Sequence, residues 1–183
     1  MKIAVGITGS SGAVYAVDFL KQCNADKFLV VSKWGKVLLK DELNMSEEDL
    51  APMVKRQFQN KDLSAPIASG SNKIDAYVIL PCSTSTLGKI ASGIGDSLIT
   101  RTAQVALKER VKLILCVRET PLSTLSLEQC AQLSRYGAII MPISPPLYFV
   151  PETVDEYVHA FTDKLLGELG IRESRGWRAE ELE

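Results

Sequence analysis

The sequence predicts an α/β protein, a three-layer α/β/α sandwich built on a doubly wound parallel sheet. Three observations predict it. Five short runs rich in Val and Ile read as strands buried on both faces: KIAVGI (2–7), KFLVVS (27–32), AYVIL (76–80), KLILCV (112–117) and AIIMPI (138–143). Helical patterns fill the intervals between them, the alternation that builds parallel sheets with helices on either side. The chemically unusual stretches TGSS, SK, PCSTST, RETP and SPPLY all fall where those strands end. That rim is where such sheets hold ligands.

The first strand runs into GITGSSGAVYA (6–16), and a helix is predicted over 11–23. Glycines at spacing three, with hydroxyls between them, suit a backbone that approaches an anion at a helix N-terminus. Gly9 and Gly12 give the close approach, and Ser10 and Ser11 give hydroxyl donors. The same residues would also serve a tight turn with a serine cap and no ligand. The spacing is GxxGxxG and not GxGxxG, and the second strand ends in Ser32-Lys33 with no acid for a ribose. Both features argue against a dinucleotide. GxxxxGK[ST] is absent, which excludes a Walker-type site.

Helices are predicted over 34–42 and 46–58, then a polar loop over 59–73. After the third strand, PCSTSTLGKIASG (81–93) places Ser83, Thr84, Ser85 and Thr86 at the start of a helix over 84–92. A cap needs only one of them, so the cluster points to a second anion cradle. The helix over 96–109 carries Arg101, Gln104, Val105 and Lys108 on one face, opposite Ile99, Ala103, Ala106 and Leu107. Periodicity alone reads that face as solvated. Arg118-Glu119 ends the KLILCV strand, either as surface punctuation or as an acid beside a phosphate-binding guanidinium. Helices over 126–135 and 152–168 flank the last strand and SPPLYFVP, in which Tyr148 alone reads as part of a packed loop. On the last helix His159 lies off the apolar stripe of Val154, Val158, Phe161 and Leu165, exposed and inert. Lys164 at the stripe's edge reads as a snorkelling lysine.

Bulk properties narrow the function. The 183 residues carry a net charge near -1, with 46% hydrophobic and 23% charged residues, so neither nucleic acid nor an anionic membrane is an expected partner. No apolar stretch reaches the ~20 residues that span a bilayer, and no basic, apolar leader opens the chain. Four scattered cysteines and a single histidine argue against a zinc site and leave a Ser-His-Asp triad dependent on His159. A cytoplasmic protein with reduced cysteines is expected.

In their order and spacing, GITGSSGAVYA, VVSK, ASGS, PCSTSTLGKIASGIGDSLITRTAQVALKER, RETPLS, LSRYGAIIMP, and SPPLY followed by PETVDEYV resemble the UbiX flavin prenyltransferases, also known as phenylacrylic or aromatic acid decarboxylases. The likeness covers nearly the whole chain. It implies a flavodoxin-like, Rossmann-related fold and metal-free transfer of a dimethylallyl group from dimethylallyl monophosphate to N5 and C6 of reduced FMN. The prenylated FMN would serve a UbiD-type decarboxylase, and the enzyme would assemble as a dodecamer with sites at trimer contacts. By position, the resemblance makes Gly9, Ser10, Ser11, Ser32, Ser83, Thr84, Ser85, Thr86 and Arg118 the FMN contacts. Arg101, Lys108, Tyr148 and Lys164 would clamp the dimethylallyl phosphate, turning the cationic helix face into a site face covered by another subunit. Glu119 would be the catalytic acid/base, assisted by Ser11, and Glu42 would reach a neighbouring subunit's site. Residues 1–170 would form one flavoprotein domain, and the tail 171–183 would close over the site through Trp177.

The chain departs from the family at Lys164, where the family has arginine, and a lysine lacks the two-pronged fork that grips phosphate. Ser97 replaces a common asparagine, and Thr-Ala-Gln (102–104) replaces Ala-Ala-Asp. These changes leave open an FMN-binding paralogue or a flavin-delivery subunit with little prenyl transfer. The flavin-containing cysteine decarboxylases are a weaker match, because their histidine after the early strands and their PxMNxxMW-type motif are missing.

Overall fold

The computed structural model describes residues 1–148, 150–172, 176–178 and 181. Its sheet is wholly parallel, with strands β1 (Lys2–Ile7), β2 (Asp26–Val31), β3 (Arg56–Gln59), β4 (Ala76–Cys82), β5 (Lys112–Val117) and β6 (Ile139–Ile140). The order across it is β3-β2-β1-β4-β5-β6, the doubly wound Rossmann order. Without the short edge strand β3 the remaining five have the flavodoxin order, so the two fold descriptions differ by one strand. Helices α1 (Ala13–Gln22), α2 (Lys33–Leu43) and α6 (Val154–Leu169) cover one face, and α3 (Thr84–Ala91), α4 (Leu98–Glu109) and α5 (Thr124–Arg135) cover the other.

Strand periodicity divides the core between those faces. On β1 and β4, Ile3, Val5, Ile7, Ala76, Val78 and Leu80 pack under α1 and α6 beside Phe19, Phe161 and Leu165. Ala4, Tyr77 and Ile79 point the other way, to Leu87, Ile99, Ala103 and Leu133. Tyr77 is fully buried, and its hydroxyl donates to the Ile99 carbonyl at 3.1 Å, so burial raises its pKa without leaving the oxygen unpaired. At the far end of α1, the buried Lys27 ammonium donates to the Leu20 and Cys23 carbonyls, meeting the helix's negative end with a cation.

The helix expected over 46–58 is not formed. Pro52 sits within a short 3-10 turn (Glu48–Met53), and Arg56–Gln59 then pairs with β2 as a sixth strand. Phe58 is the reason: its ring stacks on Phe28 at 6.4 Å and is buried against the sheet. The loop over 59–73 also packs more than its polarity suggests, burying Ile67 and Ala68 in a 3-10 turn under α4. The last strand shrinks to Ile139–Ile140, although the Met141 and Ile143 amides still donate to the Leu115 and Val117 carbonyls of β5, with Pro142 between them turned to the open edge. On α4 Val105 is buried with Ala103 and Ala106, so the polar face is narrower than expected, and on α6 the apolar stripe begins at Val158, with Val154 exposed.

His159 is exposed as expected but not idle, because its Nδ1 lies 2.7 Å from the Oδ1 of buried Asp18 and joins α6 to α1. The four cysteines are unpaired. No helix among the described residues is long and apolar enough to cross a membrane, and none of their His, Cys, Asp and Glu side chains cluster as a metal site.

Candidate functional site

The strand order reverses between β1 and β4, and their ends are stitched by the first residue of the TGSS stretch. Thr8, 2% exposed, donates through Oγ1 to the Pro81 carbonyl at 2.7 Å and accepts from the Ser83 amide at 2.8 Å. Its own amide also reaches Pro81. The two carboxyl-terminal rims are therefore held as one edge.

Beside that edge lies a cavity of about 310 Å³. Helix starts converge on it. Ser32 caps α2 by accepting from the Gly35 amide, Ser83 caps α3 by accepting from Thr86, and Ser97 caps α4 in a reciprocal box with Thr100. Asn60 supports the third start, taking the Leu98 amide on its carbonyl and the Ile99 amide on Oδ1. The walls bring together Gly9, Ser32, Ser83, Ser85 and Thr86 of the expected FMN set. Thr84 starts α3 but is not among the lining residues. Three helix N-termini, several hydroxyls, Lys33 and Lys89 make an environment for a phosphate monoester.

The glycine loop behaves differently from its expected role as a phosphate cradle. The Glu42 carboxylate, reaching from α2, accepts from the Gly12 amide at 3.0 Å and the Ala13 amide at 2.8 Å, so the positive end of α1 already holds an anion of the same chain. Within its own chain Glu42 thus already has partners; the resemblance implied a reach into a neighbouring subunit's site. Gly12 is a glycine for its left-handed φ of 111°. Gly9 is one because Trp34 presses on it; a Cβ there would collide with the Trp34 side chain. Ser10 is buried and donates to the Arg118 carbonyl at 2.5 Å, binding the loop to the end of β5. Ser11 stays partly exposed next to it.

Arg118 and Glu119 are exposed at the rim. The Arg118 amide donates to the Cys82 carbonyl, which fixes the backbone and leaves the side chain projecting from the rim outside the cavity wall. A Glu119 oxygen accepts from the Thr120 amide at 3.1 Å.

The expected donor clamp is not assembled by one chain. Arg101 and Lys108 are exposed on α4, and Lys108 pairs with Glu109 at 2.8 Å. Lys164 is on α6, across the sheet, where it pairs with Glu168 at 2.9 Å. There it edges an apolar cavity of about 390 Å³ lined by Ile139, Ile140, Met141, Pro142, Pro146 and Phe161. The Tyr148 ring meets the Trp177 indole edge-on at 5.6 Å, so these two expected donor residues do come together. The neighbouring tail positions 173–175, 179, 180, 182 and 183 lie outside the described residues.

The flavoprotein family model matches residues 1–163. The flavin prenyltransferase UbiX of Thermoplasma acidophilum is 43% identical over 93% of this chain and 96% of its own length. The chain belongs to the UbiX flavin prenyltransferase family. Two solved structures carry the same likeness into three dimensions. A UbiX in complex with FMN and dimethylallyl pyrophosphate superposes with a TM-score of 0.91 at 32% identity, covering 97% of this chain and 98% of that one. A dodecameric FMN-dependent UbiX-like decarboxylase from Escherichia coli O157:H7 gives 0.93 at 39% identity over 97% and 99%.

For this UbiX-family chain, the expected site set left out Lys33, Trp34, Asn60, Lys89 and Asp96 at the cavity, and Thr8 beside it. Trp34 had a signal: a large aromatic residue directly after a serine cap and a lysine, and it stays 65% exposed on the cavity wall. Thr8 lay in the rim stretch TGSS without a role of its own, and Asn60 had no signal, since both act through contacts with residues distant in sequence.

Proposed function

We propose that this protein is a flavin prenyltransferase, moving a dimethylallyl group from dimethylallyl phosphate to N5 and C6 of reduced FMN. The observation that carries it is the phosphate-suited cavity at the β1/β4 reversal, in a chain with 43% identity to a named flavin prenyltransferase. The residues present fit FMN: hydroxyls and helix starts face the cavity, and the adjoining rim with Ser11, Arg118 and Glu119 offers open space for a ring. Bound reduced flavin supplies the nucleophilic nitrogen and carbon.

The chain's residues then have separable roles. Ser32, Ser83, Ser85 and Thr86 hold the phosphate end, with Gly9 leaving room and Thr84 and Ser10 shaping the two loops. Glu119 accepts the proton lost from C6 on ring closure, and Ser11 assists it. Arg101, Lys108 and Lys164 stabilise the phosphate as its bond to the allylic carbon breaks, and Tyr148 and Trp177 shield that carbon from water. Because the cations lie on opposite faces of the sheet, the clamp is completed between copies of the chain, in a homo-oligomer of the dodecameric kind. The tail from residue 171 closes over the donor. A UbiD-type decarboxylase receives the product, and the reaction takes place in the cytoplasm.

Anaerobic incubation with reduced FMN and dimethylallyl monophosphate is the direct test. Mass spectrometry of the extracted flavin should show the gain of one C5 unit; flavin recovered unchanged from saturated protein overturns the assignment.

A further inference from the structure

On the cavity wall one cation is held in place before any ligand arrives. The Lys89 ammonium lies 2.7 Å from Asp96 Oδ2, and Asp96 Oδ1 accepts from the hydroxyl of buried Thr100 at 3.3 Å. Thr100 belongs to the capping box that starts α4, so the chain of contacts ends on a fixed helix terminus. The Lys89 hydrogen bond is also the main reason that the Asp96 carboxyl is held below its usual range. Lys89 follows Ser85 by four residues and Thr86 by three on α3, which puts it with both hydroxyls on the same cavity wall. Arg118, the guanidinium that the family resemblance assigned to the cofactor, is not among the lining residues.

We propose that Lys89, positioned by Asp96, is the cationic ligand of the cofactor's phosphate and sets the preference for FMN over riboflavin. A phosphate monoester near neutral pH carries a charge of about -1.5 to -2, which hydroxyls and amides alone leave partly uncompensated. An ammonium has three donors. One on Asp96 leaves two for phosphate oxygens, and anchoring removes much of the entropy cost of ordering a lysine. Asp96 is a positioning residue in this arrangement. Lys33, on the same wall at the start of α2, adds charge but has no comparable anchor among the described contacts.

This proposal rests on the flavin reading above, and its test separates the two. Full-length protein freed of flavin is titrated with FMN and with riboflavin. For Lys89→Ala, the FMN Kd should rise about tenfold, while the riboflavin Kd stays within about twofold of the unsubstituted protein. Lys89→Arg should retain most of the preference for FMN. Equal weakening of both ligands, or no change in either, overturns the role of Lys89. Unsubstituted protein that binds neither ligand overturns the flavin reading itself.

Discussion

Two regions of this molecule reach different degrees of completion within one chain. The rim shared by β1 and β4 is finished: Thr8 joins the strand ends, three capped helices face one cavity, and cations stand on its wall. The donor region is divided, with Arg101 and Lys108 on one side of the sheet and Lys164 on the other. The difference teaches that one polypeptide's fold is enough to build the phosphate-suited cavity, whereas the residues of the proposed donor clamp are not brought together within one chain. A doubly wound sheet brings loops together at one edge, but it keeps its two helix layers about 20 Å apart, twice the usual ~10 Å between packed layers.

The sharpest way to separate the regions is Glu119→Gln. Removing the base should slow formation of the prenylated flavin by roughly 10²–10⁴-fold, the range of general acid–base catalysis. FMN should remain bound, because its phosphate end is held by the cavity wall, to which Glu119 does not belong. Prenyl transfer at the unsubstituted rate would remove Glu119 from the reaction.

The division of the clamp is broken or upheld by mixing. Lys108→Ala and Lys164→Ala should each be nearly inactive alone. Co-expressed oligomers should recover activity at roughly a quarter of their sites, the yield of random pairing across a two-chain contact. Mixed preparations no better than either parent would mean that one chain carries the whole clamp.

Thr8→Val probes the finished region. It keeps the shape but strands the Ser83 amide, while the Thr8 backbone amide still reaches the Pro81 carbonyl, for an expected loss of about 1–3 kcal/mol of stability. Denaturant unfolding reads that loss, with weaker FMN binding beside it. Unchanged stability would show that the stitch is dispensable.

Much of this architecture was legible in the sequence, and the exceptions have physical causes. Buried parallel strands announce themselves as Val- and Ile-rich runs, so β1, β2, β4 and β5 were visible within a residue or two. RQFQ was not, because an edge strand of four residues with one buried ring lacks enough periods to display alternation. At the site, the Ser83 cap was legible because capping is local chemistry. Lys89 carries no local signal, since its partner Asp96 lies beyond the helix end. The contacts of Ser10 and Glu42 were not legible for a related reason: the groups they bind, the Arg118 carbonyl and the α1 amides, are brought near only by the folded topology.

The carboxylate of Glu42 on the first helix has a further consequence. It leaves that dipole already answered, so an arriving dianion finds a neutralised terminus there and attractive ones beneath Ser32 and Ser83. The glycine- and serine-rich turn before α1 and the hydroxyl-rich turn before α3 thereby acquire opposite electrostatic characters, one sealed and one receptive.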